Sequence, residues 1–284
     1  MRGLLFDIDG VLFWQGRLLP GAAEVLLWAQ QQGIPYRLIT NRVSASAGQM
    51  AAELNDSGLA AAGVVLTAEQ ILTPTEIALE HMRSSAVRAW QVLVPAAQAP
   101  AFAELACHDW GAAKGLVLAD IGDGWTYETL NQCLQFLLAN PQAPWLVLGL
   151  TRYFVDGQGA ARLDIGAFVK ALEYASGREA GVMGKPGAAV FEVACARLGC
   201  EPAQCLMLGD DWLTDIRAAQ ACGIAGVLLR SGKYQPGDEH NCPTAVVMDV
   251  LSELPAWWSA SSGSWPEVSI PDRKDSPVRG SDLE

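Results

Sequence analysis

Positive charge is scarce in this chain. Its 284 residues hold 19 Lys and Arg against 31 Asp and Glu, a formal net charge of −12, and the cations form no cluster. That balance argues against a nucleic-acid partner, whose phosphates need a basic face. An anionic substrate would have to be met by a metal and a few placed cations. Histidine is nearly absent: the three present are widely separated, which argues against a His-based metal centre. The seven cysteines (Cys107, Cys133, Cys195, Cys200, Cys205, Cys222 and Cys242) include no CxxC pair. Being odd in number, they also argue against a complete disulfide framework, and they read as reduced, small core residues of an intracellular protein. No apolar run reaches membrane-spanning length. The apolar N-terminus is broken by Asp7 and Asp9, where a secretory signal needs an unbroken core. Internal repeats are missing as well. The expectation is a soluble, cytoplasmic protein.

Apolar residues, by contrast, are plentiful at 51%, enough for a sizeable core in one large domain or two ordinary ones. The N-terminal stretch MRGLLFDIDGVLFWQG organises the rest. Leu4, Leu5 and Phe6 form a short apolar run that fits a buried strand of a parallel sheet, and the run breaks into Asp7-Ile8-Asp9-Gly10. Two carboxylates two residues apart lie on one side of an extended chain. At the end of a buried strand both would face the crevice where open α/β sheets bind ligands, and a cation would be expected to hold them ionised. Alone, the same four residues also make an ordinary strand-to-turn junction.

Pro20-Gly21 opens a helical stretch closed by Gly33, and Tyr36 to Ile39 reads as a second buried strand ending in Thr40-Asn41. Strand, helix and strand within about 40 residues make a βαβ unit. A helix through Met50 and Leu54 to Gly58, a strand from Val64 to Leu66, and a helix from near Glu69 through Pro74 to about Met82 are expected next. From about 84 to 180 the texture changes: QVLVP, KGLVLAD and PWLVLG are strand-like, TYETLNQCLQFLLAN and GAFVKALEYAS are helical, and RYFVDGQGAARLDI reads as a β-hairpin. The doubly wound pattern resumes at Gly184-Lys185-Pro186, with Pro186 suited to the first turn of a helix. The strand CLMLG then ends in Asp210-Asp211, helix DIRAAQAC stops at Gly223, and strands follow at Ala225 to Leu229 and Ala245 to Met248. The fold expected is α/β: a doubly wound parallel-sheet core from residues 1–83 and 181–258. An inserted α/β domain at 84–180 and a disordered tail at 259–284 complete it.

Asp7 with Asp9, Thr40 with Asn41, Lys185, and Asp210 with Asp215 all fall at strand ends or helix starts. In a parallel sheet these ends share one edge. Carboxylates in that number suit Mg²⁺, and an ammonium and a hydroxyl suit phosphate oxygens. Together they describe phosphoryl transfer. Taken singly, Thr40-Asn41 is a turn, Lys185 a surface lysine, and Asp210-Asp211 helix N-caps. Asp211 reads as a cap or a supporting residue behind the site.

The ordered set DIDGVL, TN, GKP and GDDWLTD resembles the phosphatases of the haloacid dehalogenase (HAD) superfamily, over residues 2 to about 255. The insertion between the second and third motifs resembles the NagD-like subgroup with a large α/β cap on a Rossmann-like core. TRYFVDGQGAARLDIGAFVKALEYASGREAGVMGKP and LLRSGKYQPGDEH look most like its phospholysine phosphohistidine inorganic pyrophosphate phosphatase branch. The resemblance implies that Asp7 is the nucleophile and forms a phosphoaspartate, and that Asp9 is the general acid and then base. It implies that the Thr40 hydroxyl and the Asn41 amide hold phosphoryl oxygens, with Lys185 offsetting their charge. Mg²⁺ would be held by Asp7, the Asp9 carbonyl and Asp210, with Asp215 orienting rather than coordinating.

Two positions depart from the pattern. Arg42 stands where relatives more often carry a small or neutral polar residue, and SASAGQ lacks a basic residue that many relatives place there. In the cap, the turn from Gly149 to Phe154 is the expected specificity surface, with Arg152 and Tyr153 reaching substrate. The alternative for Tyr153 and Phe154 is cap core. Homodimerisation through the cap is a further implication. A phosphomutase, a silent regulatory protein on the same fold, and a glycosyltransferase with a DxD metal site are the competing functions, and phosphate release separates the hydrolase from all three.

Overall fold

A computed structural model of the chain describes residues 2–155 and 160–261. It divides into two units. The first holds the residues up to Thr40, Ala47–Leu72 and those from Val190 on, and the second holds Asn41–Ser46 and Thr73–Ala189. Two of the divisions fall at 72/73 and 189/190; the sequence reading set its limits at 83/84 and 180/181. The residues expected as a tail lie outside those described from 262 onward, and the last described helix, Leu254–Ala260, runs slightly past the expected limit.

Six parallel strands build the first unit. Their order is Val246–Met248, Ala225–Leu229, Cys205–Gly209, Gly3–Asp7, Tyr36–Ile39, Ile71–Leu72. The three central runs, GLLFD, CLMLG and AGVLL, are buried at every residue, as continuous apolar runs must be when a parallel sheet is covered on both faces. The chain lays its second and third strands of this sheet to one side of Gly3–Asp7 and its last three to the other. The order therefore reverses between Gly3–Asp7 and Cys205–Gly209, where Phe6 lies opposite Leu208. The helix Leu254–Ala260 is held beside the helix Ala22–Gln31 by the edge-on pair Trp28–Trp258, at 5.8 Å, with the Arg2 guanidinium over the Trp258 ring.

The second unit carries its own five-stranded parallel sheet, ordered Gly181–Val182, Trp145–Val147, Gly115–Leu118, Trp90–Leu93, Ala106–Cys107. Helices Tyr127–Ala139 and Ile165–Ser176 close over it through Phe136, Leu137, Val169 and Leu172. Tyr153–Val155 and Ala161–Leu163 pair antiparallel, as the hairpin pattern predicts, although the turn between them lies outside the described residues. The helix Tyr127–Ala139 ends without a glycine, so its last carbonyls need another donor. Arg178 supplies it, donating to Leu137 O at 3.1 Å, to Asn140 O at 3.0 Å and to Ala143 O. Arg178→Ala is expected to cost about 1–3 kcal/mol, the usual cost of leaving such groups unsatisfied. A lowered urea midpoint would show it, and an unchanged midpoint would count against the capping role.

Several elements differ from the sequence reading. Val64 and Leu66 are buried with Val65 exposed between them, but the stretch forms no strand, because the Asn55 side chain takes both main-chain groups of Leu66 (Leu66 N to Oδ1 and Nδ2 to Leu66 O, each 2.9 Å). The sheet strand is Ile71–Leu72 instead. Pro74 does not interrupt a helix but starts one, Pro74–Ser84, behind the cap Thr73, whose hydroxyl accepts from Glu76 N. Pro is well placed there because its missing N–H is an orphan in any case. Pro186 sits in a turn before the helix, which begins at Ala188.

Candidate active site

The first unit places its polar residues at the reversal of strand order. Asp7 is the last residue of its strand and is buried, with Ile8 N donating to its Oδ1 at 2.7 Å. Asp210 follows the neighbouring strand Cys205–Gly209 and has no exposed surface. Asp215, equally buried, lies in the wide helical turn Trp212–Arg217. Asp7, Asp210 and Asp215 each bring a carboxylate oxygen within 4.8 Å of the others.

Asp215 thus stands with the other two carboxylates, in the constellation where the sequence reading gave it an orienting rather than a coordinating part. It also orients, since its Oδ2 accepts from Asp211 N at 3.2 Å. The Asp9 side chain stands apart from the three. Its Oδ2 faces the buried Thr40 hydroxyl at 3.4 Å. Asp211 caps the turn that carries Asp215, accepting from Leu213 N at 2.9 Å and Thr214 N at 3.0 Å.

The second unit holds the other expected residues. Lys185 is buried, and the Asn41 side chain grips its main chain from both sides: Lys185 N donates to Asn41 Oδ1 and Asn41 Nδ2 to Lys185 O, each at 2.7 Å. Asn41 thus brings a side chain to the arrangement, not only the amide that the motif suggests. Arg152 and Tyr153 are exposed, Tyr153 by 55%. The Phe154 side chain lies outside the described part of the structure.

One segment was quoted in the sequence only for its resemblance, within LLRSGKYQPGDEH, and was given no role. Ser231-Gly232-Lys233 follows the strand Ala225–Leu229 and returns to Asp210 and Gly10. Its position past the carboxyl end of a core strand was the available signal.

The donor set consists of hard carboxylate oxygens, buried and crowded. Three ionised carboxylates this close repel one another unless a cation offsets their charge. The site fits a divalent metal that prefers oxygen, and among the described residues the group contains no soft or imidazole ligand.

Known proteins share this architecture. The family model described as haloacid dehalogenase-like hydrolase matches residues 4–107, and one described as HAD-hydrolase-like matches residues 182–254. A rat protein named phospholysine phosphohistidine inorganic pyrophosphate phosphatase is 30% identical over 245 residues, which are 85% of this chain and 87% of that protein. The chain belongs to the haloacid dehalogenase-like hydrolases. The p-nitrophenyl phosphatase from Archaeoglobus fulgidus superposes with a TM-score of 0.77 at 20% identity, covering 90% of this chain and 98% of that one. NagD from E. coli K-12 gives 0.76 at 20% identity, covering 89% and 98%. At that identity these two likenesses speak for the fold: the Rossmann-like HAD core with an inserted α/β cap. The sequence relatives carry the rest, and the chain is a phosphatase of the HAD-like hydrolases. Among the described residues no helix is long and apolar enough to cross a membrane.

Proposed function

We propose that this HAD enzyme is a Mg²⁺-dependent phosphatase that hydrolyses a small phosphorylated compound through a phosphoaspartate on Asp7. The observation that carries the reading is the buried carboxylate group of Asp7, Asp210 and Asp215 at the reversal of strand order. Open α/β sheets bind their ligands in that position. The name of the rat relative covers P–N and P–O–P bonds, so the substrate class includes phosphoramidates and pyrophosphate as well as monoesters.

An oxygen of Asp7 attacks phosphorus while the bond to the leaving oxygen or nitrogen breaks, and Asp9 gives that atom its proton. Asp9, now a carboxylate, then takes a proton from water, whose oxygen attacks the phosphoaspartate. Inorganic phosphate leaves and Asp7 is regenerated. Dividing the hydrolysis into two displacements lowers each barrier, and a positioned acid and base serves both halves. Thr40 supplies a hydroxyl to the phosphoryl oxygens, and its 3.4 Å approach to Asp9 Oδ2 supports a shared task. Lys185 supplies an ammonium whose main chain Asn41 fixes, an electrostatic role set in advance. Asp7 and Asp210, with Asp215 and the Asp9 carbonyl, would hold Mg²⁺, which adds positive charge beside the transferring group. Arg152 and Tyr153 in the cap would meet the leaving group, and Asp211 supports Asp215 from behind. The seven free thiols support the expected reducing, cytoplasmic compartment.

Phosphate release from p-nitrophenyl phosphate, with and without Mg²⁺, tests the reading. Release should vanish in a chelator and return when Mg²⁺ is restored in excess. Release that continues at full rate in the chelator would refute the metal assignment, and no release from folded protein on any of the three bond classes would refute the phosphatase.

A further inference from the structure

The segment Ser231-Gly232-Lys233 reaches the carboxylate group from the strand beyond Cys205–Gly209. Its two hydrogen bonds go to different sides of the site. The Ser231 hydroxyl donates to Gly10 O at 2.6 Å, and the Lys233 amide donates to Asp210 Oδ2 at 2.7 Å. Gly10 closes the loop after Asp9, in which Gly10 N donates to Phe13 O at 2.8 Å and Phe13 N to Ile8 O at 2.9 Å. One short segment therefore ties the loop carrying Asp9 to the carboxylate of Asp210.

Space leaves no alternative at its centre. Gly232 has φ +51°, and a Cβ there would lie 1.9 Å from Asp210 Oδ2 and 2.6 Å from Gly10 Cα. Gly10 itself has φ +95°, and a Cβ there would lie 2.0 Å from the same oxygen. Two glycine main chains thus pack against one carboxylate, and only glycine permits both the approach and the left-handed backbone.

The segment is anchored on both flanks. Arg230 pairs with Asp249 at 2.9 Å and Glu239 at 3.3 Å, and the Tyr234 hydroxyl donates to Glu239 Oε2 at 2.7 Å. That hydroxyl is the main group holding the Glu239 carboxyl down, to about 2.

We propose that Ser231-Gly232-Lys233 is a positioning element that aims the Asp210 carboxylate at the metal and holds the Asp9 loop in register with it. A carboxylate oxygen accepts more than one bond, so the Lys233 amide fixes the orientation of Asp210 without using the group up. Partners behind a metal ligand typically govern metal affinity in this way, by about 10–100-fold. Ser231 touches neither substrate nor metal in this account and acts through Gly10.

The inference rests on the proposed metal role of Asp210, and the experiment separates the two. Mg²⁺ affinity is measured by titration calorimetry on the full chain for the native protein, Ser231→Ala, Ser231→Thr, Gly232→Ala and Asp210→Asn, with circular dichroism as the check on fold. Gly232→Ala should bind Mg²⁺ about 10–100-fold more weakly. Ser231→Ala should weaken it by less, and Ser231→Thr, which keeps the hydroxyl, should restore it. For p-nitrophenyl phosphate kcat should fall with KM nearly constant. If Gly232→Ala does not fold, the Ser231 pair carries the test. Native-like Mg²⁺ binding in Ser231→Ala, with Asp210→Asn weakened, would overturn the inference and leave the metal reading standing. An Asp210→Asn protein that binds as the native one does would overturn the metal reading, and the inference with it.

Discussion

Asp7→Asn is expected to lower phosphate release from p-nitrophenyl phosphate by at least about 10⁴-fold, because loss of a nucleophile that acts as one unit with its partners removes nearly the whole rate enhancement. The fold should survive. An amide oxygen can still accept from Ile8 N, which donates to Asp7 Oδ1 at 2.7 Å in the native chain. The substitution also removes one negative charge from three buried carboxylates whose oxygens lie within 4.8 Å. In a chelator, the variant should therefore melt no lower than the native protein, since like-charge repulsion among desolvated groups opposes folding. Calorimetry with and without Mg²⁺ checks this, and the added thermal protection from Mg²⁺ should shrink in the variant. A variant that still turns over at more than a tenth of the native rate would remove Asp7 from the nucleophile's place.

Asp9→Asn is expected to cost about 10²–10⁴-fold, the usual range for a positioned general acid or base, and the loss should depend on the leaving group. p-Nitrophenolate is weakly basic and departs without a proton, so the first displacement on that substrate survives the substitution. The second does not, because water still has to be deprotonated. A stopped-flow trace should show a burst approaching one p-nitrophenolate per site, followed by slow turnover, whereas Asp7→Asn shows no burst. On an alkyl phosphate, whose alkoxide needs the proton, the burst should disappear as well. Equal losses on both substrates, with no burst on either, would assign Asp9 to holding Thr40, whose hydroxyl lies 3.4 Å from it, rather than to proton transfer.

The core strands were legible because burial on both faces writes itself as unbroken apolar residues. LLF, CLML and AGVLL read as strands and are strands. Shorter pieces were not legible. Gly181–Val182 and Ala106–Cys107 are two residues long and owe their extended form to a neighbour already in the sheet, which no local pattern encodes. Val64 to Leu66 carries the same apolar signal as a strand, but the Asn55 side chain satisfies its backbone before a neighbouring strand can. Pro74 reads as an interruption of a helix begun near Glu69, yet the turn Ala68–Gln70 and the strand Ile71–Leu72 end before it and a new helix begins at it.

What the sequence determined by itself was the set of polar groups and their places at strand ends: Asp7 after LLF, Thr40 after YRLI and Asp210 after CLMLG. Apolar runs and their breaks are local, so they survive in one dimension. Which ends become neighbours is not local. Gly3–Asp7 pairs with Cys205–Gly209 from the far part of the sequence, and that pairing alone sets Asp7 beside Asp210. Asp215 enters the carboxylate group through the turn that Asp211 caps. Asn41 finds the main chain of Lys185 from 144 residues away. Ser231 finds Gly10 from 221 residues away. Each of these contacts is made by a backbone group or a short polar side chain, which carries no periodic signal and takes its partner from the order in which the sheet stacks its strands.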